Sequence, residues 1–197
     1  INSPLVLLKK KRKKNFAVYI EENWFNSPDR KLFHYNSGDK KKYKDFYNKL
    51  NIFFSKFENY FCMDIKIGAS KKIYYTKNEF RNRKIIYGDT LNLINNSSYV
   101  LGHSSLALYQ AVVSNVPIFL LNDSKIASTT KQKEIFEYKE KLKTFYFDLN
   151  EYPIFNKYKS YKPVFSHYKK IKEKYIVGSS KNYNNVLEKV ILKNENN

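Results

Sequence analysis

One segment decides the fold: residues 98–121, which read SYVLGHSSLALYQAVVSNVPIFLL. Two apolar runs in it, Ser98 to Leu101 and Ile118 to Leu121, have the length of buried strands. Between them, Ser104 to Ser114 is apolar on nearly every side and predicts a buried helix that Asn115 ends in the left-handed conformation. A strand, a helix and a second strand in this order predict one parallel βαβ unit.

Apolar segments on either side of this unit extend the pattern. Phe16 to Ile20 predicts a buried strand, and Asp39 to Phe61 predicts a long helix because its aromatic residues recur every three or four positions. Strands at 65–68, 84–87 and 144–147 and helices at 90–94, 131–142 and 184–192 complete the prediction. Alternating strands and helices predict an α/β fold, a parallel Rossmann-like sheet with helices on both faces. The predicted domains are a basic linker at 1–15, or remnant of an interdomain connection, and a Rossmann-like domain at 16–197.

The chain is strongly basic, with 37 Lys and Arg residues against 18 Asp and Glu and a formal net charge of +19 at pH 7. Clustered positive charge attracts nucleic acid. Here, however, lysines are spread along the whole chain, and the arginines are confined to Arg12, Arg30, Arg81 and Arg83. Because arginine is the preferred residue for bidentate phosphate and base contacts, nucleic acid is not the expected partner.

Membrane and metal signatures are missing from the sequence. Apolar runs such as Pro117 to Leu121 are far shorter than the roughly 20 residues that cross a bilayer. We expect a cytoplasmic protein, with a peripheral position at the inner membrane through its basic surface as the alternative.

The single cysteine, Cys62, is expected to be a small buried side chain. The chain begins with Ile1 rather than Met, as expected of a fragment or a processed chain.

The turn Gly102 to Ser105 is the candidate functional site, because ligands of parallel α/β sheets bind beyond the carboxyl ends of the strands. Gly102 is expected to permit close approach of the backbone, and the N–H groups at the start of the predicted helix to attract an anion. We expect Ser104 to cap that helix, Ser105 to contact a phosphate, and His103 to add a charged donor. The alternative is an ordinary N-cap at Ser104 and a hydrogen-bonded loop histidine.

Three segments resemble the C-terminal, nucleotide-sugar-binding domain of GT-B glycosyltransferases. They are Asp89-Thr90-Leu91-Asn92-Leu93-Ile94, Ser98-Tyr99-Val100-Leu101-Gly102-His103-Ser104-Ser105 and Asn115-Val116-Pro117-Ile118-Phe119. The resemblance covers about residues 16–177 and is greatest to bacterial capsule and surface-polysaccharide enzymes of the sialyltransferase- and polysialyltransferase-like group. It implies one half of a GT-B fold, in which Ser104 and Ser105 hold the phosphate of the donor nucleotide.

Relatives in this family carry a His-Pro motif after an earlier strand, where this chain has Gly68-Ala69-Ser70-Lys71. Ser70 and Lys71 are the candidate nucleotide contacts in this stretch, with the positive charge of Lys71 and Lys72 replacing the lost contact, and a solvated loop is the alternative. The resemblance also implies that the general base and the acceptor site lie on a separate N-terminal GT-B domain, so no catalytic residue is assigned here. Glu22, after the first strand, is the candidate contact for acceptor or sugar, with a plain loop role as the alternative.

These features together predict the donor-binding half of an inverting glycosyltransferase that uses no metal and no cofactor. Its partners would be a CMP- or UDP-linked sugar donor, a surface polysaccharide or glycolipid acceptor, and the N-terminal GT-B domain. Alone, this half is expected to bind the donor better than to turn it over. The alternatives are a sugar-nucleotide 2-epimerase or glycerophosphotransferase of the same fold, a basic nucleic-acid-binding domain, and an inactive remnant.

Overall fold

The computed structural model describes residues 15–25, 40–70, 75, 79–156 and 165–172. The strands are β1 (Phe16–Ile20), β2 (Asp64–Ala69), β3 (Ile85–Tyr87), β4 (Tyr99–Gly102), β5 (Ile118–Asn122) and β6 (Phe145–Asp148). The helices are α1 (Lys40–Phe61), α2 (Thr90–Asn96), α3 (Leu108–Val113), α4 (Thr129–Leu142) and α5 (Phe165–Ile171). None of the described helices is both long and apolar enough to cross a lipid bilayer.

The six strands form one parallel sheet in the order β3-β2-β1-β4-β5-β6. In this doubly wound arrangement the strand order reverses between β1 and β4. The two strands pair directly, with Tyr19 opposite Leu101, so their carboxyl ends lie side by side. The predicted α/β fold with a parallel Rossmann-like sheet is confirmed.

Helices cover both faces of the sheet, as predicted. The Tyr19 ring on β1 lies 5.1 Å from that of Phe54, so it faces α1. The next residue, Ile20, is the register partner of Gly68, and a Cβ added to Gly68 would lie 3.4 Å from Thr90 on α2. Because successive residues of a strand face opposite sides, α1 and α2 cover opposite faces. α3 packs against α2, and α5 packs against α3 and α4.

The aromatic stripe of α1 forms the core on its side of the sheet, as its spacing predicted. Phe57 packs edge-on against Phe119 of β5 with ring centroids 5.6 Å apart. Phe53 contacts Phe147 of β6 in the same way, at 5.3 Å. Full burial of one such side chain stabilises the fold by about 1.5–3 kcal/mol. The buried residues of this helix are Phe46, Tyr47, Leu50, Asn51, Phe53, Phe54 and Phe57.

The largest boundary difference lies at the candidate site. α3 begins at Leu108 instead of Ser104, and no side chain caps its start. The N–H of Leu108 donates to the Ser105 carbonyl at 3.0 Å, so the chain enters α3 through a tighter turn. The predicted N-cap role of Ser104 is therefore wrong, while the predicted left-handed end at Asn115 is confirmed by its φ of 53°.

Other predictions were wrong or lie outside the described residues. Cys62 is exposed because the chain leaves α1 there in a left-handed conformation, with φ 53°. α5 was missed, since seven residues are too few to display a helical period. The predicted helix at 184–192 and residues 1–14 of the predicted basic linker lie outside the described residues.

Candidate functional site

Two glutamates at the end of β1 point to opposite faces of the sheet. Glu21 lies two residues after Tyr19, so its side chain is on the α1 face of the sheet. There the Tyr47 hydroxyl donates to Glu21 Oε1 at 3.2 Å. Glu22 lies two residues after Ile20, so its side chain is on the other face, where it contacts α4. The alternation of a strand therefore places the two carboxylates in two polar clusters, one on each face, at the point where the strand order reverses.

Glu22 lies at the predicted phosphate turn and fills it. Its Oε1 accepts the backbone N–H groups of His103 at 3.1 Å and Ser104 at 2.7 Å. Its Oε2 accepts from Lys131 Nζ at 3.0 Å, and the two side chains are 11% and 9% exposed. The N–H groups predicted to attract a ligand anion therefore already hold a carboxylate of the same chain. We call the backbone N–H groups of His103 and Ser104, the Lys131 ammonium and the Ser104 hydroxyl the anion cradle.

Lys131 completes the cradle from the first turn of α4. Its Nζ also contacts the Ser104 hydroxyl and lies 3.1 Å from Glu134 Oε2. Sequence reasoning missed this residue. A signal was present, because a cation in the first turn of a helix opposes the helix dipole and needs a compensating partner, which Glu22 supplies.

The ion pair keeps Glu22 ionised despite its burial. Burial alone would raise the pKa of this carboxyl. The charge of Lys131 and the hydrogen bonds from Lys131 and the Ser104 N–H outweigh that effect and hold the pKa below its usual value. A second anion entering the cradle would therefore meet a full negative charge unless Glu22 moves away.

His103 is buried and uncharged near neutral pH. Its Nδ1 lies 2.7 Å from the Leu121 carbonyl, which requires Nδ1 to carry the proton, and the Tyr19 hydroxyl donates to Nε2 at 2.8 Å. Burial lowers the pKa of His103 to about 4, although nearby Glu22 opposes this shift. The Trp24 ring lies over the imidazole, with centroids 4.2 Å apart. The predicted role of His103 as a charged donor is wrong, because both ring nitrogens bind protein groups.

We expect the imidazole of His103 to remain neutral when the protein is acidified from pH 7 to pH 5, because its folded pKa is about 4. The ring carbon-bound protons in a proton NMR titration provide the measurement. A Tyr19→Phe variant serves as the assignment control, since it removes the partner of Nε2. A titration step of His103 centred above pH 6 would contradict this account.

Gly102 and Ser105 make packing and turn contacts within the chain, and the predicted phosphate contact of Ser105 stays a prediction. Gly102 has no positive φ; a Cβ on it would lie 3.2 Å from Leu108 Cδ2, so the glycine serves helix–strand packing. The Ser105 hydroxyl accepts the Ala107 N–H at 3.2 Å, which leaves its own proton available to a ligand. Ser105 is half-buried, and the adjoining Leu106 is 79% exposed. Ser105 is therefore the hydroxyl of this turn that solvent reaches.

The second cluster surrounds Glu21 on the α1 face. Its Oε1 accepts from the Asn23 N–H at 2.8 Å, the Tyr75 hydroxyl at 3.1 Å and the Tyr47 hydroxyl. Its Oε2 is buried and has no hydrogen-bond partner within the described part of the chain. Burial raises the pKa of Glu21 to about 7, against the hydrogen bonds from Asn23 and the tyrosines. Carboxyls that titrate near neutrality are characteristic of functional sites.

The other predicted nucleotide contacts, Ser70 and Lys71, follow β2. Ser70 is exposed just after β2, and Lys71 lies outside the described residues. At the end of β5, buried Asp123 pairs with Lys49 of α1 at 3.0 Å. Among the described residues, no three His, Cys, Asp or Glu side chains are grouped to hold a metal ion.

The comparisons with known proteins bear on the fold. No family model matches the chain, and no curated protein matches its sequence. A solved structure described as "Crystal Structure Analysis of the Glycotransferase of kitacinnamycin" aligns with 92% of this chain, with a TM-score of 0.50 and 10% sequence identity. The chain covers 44% of that protein, less than half its length. The chain thus has a glycosyltransferase-like, Rossmann-type α/β fold.

Proposed function

We propose that this chain is the donor-binding domain of a glycosyltransferase and that it binds a CMP- or UDP-linked sugar at the carboxyl edge of β1 and β4. The sugar would pass to a surface polysaccharide or glycolipid, with inversion and without a metal. The acceptor class and the second GT-B domain rest on the sequence resemblance, and the membrane-peripheral location rests on the basic charge of the chain.

The proposal rests on one observation: four largely buried ionisable groups are clustered where the strand order reverses. Glu21, Glu22, His103 and Lys131 lie at this point, contributed by β1, β4 and α4. Core packing does not require such groups, since burial of charge costs free energy unless each group is paired. Open α/β sheets bind their ligands at this position.

The proposed contacts follow from exposure. Ser105 lies at the accessible rim of the turn, next to exposed Leu106, and its hydroxyl proton can donate to a phosphate oxygen. The backbone N–H groups of His103 and Ser104 already donate to Glu22 and would reach a phosphate only if Glu22 left them. Ser70, exposed at the end of β2, and Lys71 are proposed to contact the nucleotide.

Nucleotide binding tests the proposal directly. We expect CMP or UDP to bind the chain saturably in isothermal titration calorimetry. Ser105→Ala should weaken that binding at least about tenfold, because a hydrogen bond to a charged group contributes about 1.5–3 kcal/mol. Asn59→Ala is the matched control. Asn59 is exposed near the end of α1, toward the opposite edge of the sheet, and its variant should bind like wild type.

The same titrations separate the alternatives. No saturable binding of CMP, UDP or CDP would reject the proposal. CDP preferred over CMP and UDP would favour the glycerophosphotransferase alternative. Binding to mixed-sequence DNA or RNA that weakens steeply with salt would instead indicate a basic nucleic-acid-binding domain.

A further inference from the structure

The anion cradle supplies the donors that a phosphate oxygen needs. Two successive backbone N–H groups, of His103 and Ser104, converge on one oxygen of Glu22. The Lys131 ammonium contacts the other oxygen and the Ser104 hydroxyl. Successive backbone N–H groups form anion-binding concavities, and a cation beside them strengthens each hydrogen bond to an anion.

We infer that the anion cradle is a phosphate-binding site whose present occupant is the carboxylate of Glu22, which the phosphate of a nucleotide displaces. This inference rests on the proposed function for the identity of the ligand and adds an autoinhibitory contact to it. Glu22 and the ligand compete for the same donors, so the affinity of the chain for a nucleotide is set partly by the stability of the Glu22 contact.

The position of Glu22 permits the exchange. The backbone N–H of Glu21 still bonds to the Gly68 carbonyl at 2.9 Å, and Glu22 lies one residue beyond that bond. Its side chain can therefore leave the cradle without opening the sheet. Lys131 remains paired with Glu134 when Glu22 leaves, and the incoming phosphate restores the charge that the cradle loses.

Anion rescue tests the inference. Glu22→Ala leaves the cradle donors without their carboxylate, so inorganic phosphate should stabilise this variant far more than wild type. At about twenty times its dissociation constant, phosphate should raise the melting temperature of Glu22→Ala by about 5 °C. The reference is sodium chloride at the same ionic strength. Equal shifts for Glu22→Ala and wild type would overturn the inference.

Glu134→Ala is the matched control. Glu134 also pairs with Lys131, at 3.1 Å, but the bonds to the cradle N–H groups come from Glu22. If phosphate acted only through the exposed charge of Lys131, Glu134→Ala would respond as strongly as Glu22→Ala. That result would reject a cradle formed by backbone N–H groups.

Glu22→Gln is the second variant, for the case in which Glu22→Ala does not fold. It keeps an oxygen for the two N–H groups but removes the negative charge, and hydrogen bonds to a neutral acceptor are about half as strong as those to a charged one. A phosphate should therefore displace the amide more easily, and CMP or UDP should bind Glu22→Gln at least about tenfold more tightly than wild type. Unchanged affinity would contradict the inference. If phosphate stabilises Glu22→Ala but no nucleotide binds, the anion cradle is supported and the proposed function is rejected. If nucleotides bind wild type but phosphate does not stabilise Glu22→Ala and Glu22→Gln does not bind more tightly, the proposed function is supported and the anion cradle is rejected.

Discussion

Replacing Glu22 by alanine is expected to lower the free energy of unfolding by about 3–5 kcal/mol, which is the usual cost of removing one partner of a buried ion pair. The variant leaves Lys131 with less compensation and removes the acceptor of two backbone N–H groups, those of His103 and Ser104. Urea denaturation in a chloride buffer free of phosphate and sulfate provides the measurement. A loss below about 1 kcal/mol would place this pair among the weak surface ion pairs.

The double variant Glu22→Gln, Lys131→Met separates the ion pair from the backbone contacts. Glutamine keeps an oxygen for the two N–H groups, and methionine fills the volume of the lysine stem without a charge. We expect this protein to recover most of the lost stability, because apolar replacement of a complete buried pair is often neutral. Failure of the double variant to exceed Glu22→Ala would show that the ion pair itself is irreplaceable.

Replacing Glu21 by glutamine is expected to have the opposite effect above neutral pH. The pKa of Glu21 is about 7 in the folded protein against a reference value of 4.5. A group with a raised folded pKa stabilises the fold fully below its unfolded pKa and loses that contribution as the pH rises through its folded pKa. The wild-type protein should therefore lose about 3 kcal/mol between pH 4.5 and pH 8 that Glu21→Gln does not lose.

The difference between the two unfolding free energies, followed from pH 4.5 to pH 8, isolates Glu21. Other groups, including His103 with its lowered pKa, titrate alike in both proteins and cancel. Glu151→Gln, at an exposed position after β6, serves as the control and should follow the wild-type profile. Parallel profiles for wild type and Glu21→Gln would mean that this carboxyl ionises normally.

The fold was accessible from the sequence because apolar spacing reports burial directly. β1, β4 and β5 appear as short apolar runs, and α1 shows its aromatic face every three or four residues. The start of α3 was not accessible in the same way. Ser104 has the residue type of an N-cap, but its hydroxyl is engaged by Lys131 from 27 residues away, and a tertiary contact of this kind leaves no local pattern.

The sequence predicted that the Gly102 to Ser105 turn follows a strand at the carboxyl edge of the sheet, and the structure has the turn there. The glycine–serine turn does lie beside the end of β1, but its first N–H groups hold Glu22 instead of facing an open cleft. Strand alternation predicts that two adjacent glutamates face opposite sides of the sheet, but it cannot show that their pKa values shift in opposite directions, because those shifts depend on burial and on Lys131. Tyr47 lies on the aromatic face predicted for α1 and is buried as predicted, while the contacts of the Tyr47 and Tyr75 hydroxyls with Glu21 depend on the tertiary fold.

Hydrogen–deuterium exchange with and without saturating CMP or UDP shows directly whether a nucleotide binds at the turn after β4 and displaces Glu22. We expect slower exchange of the backbone amides of residues 105–107 when the nucleotide is bound, since these residues form the accessible rim of the turn after β4. We also expect a change at residues 21–23, where Glu22 leaves the cradle. Unchanged exchange in both segments at saturation, or protection confined to the opposite edge of the sheet, would contradict the account.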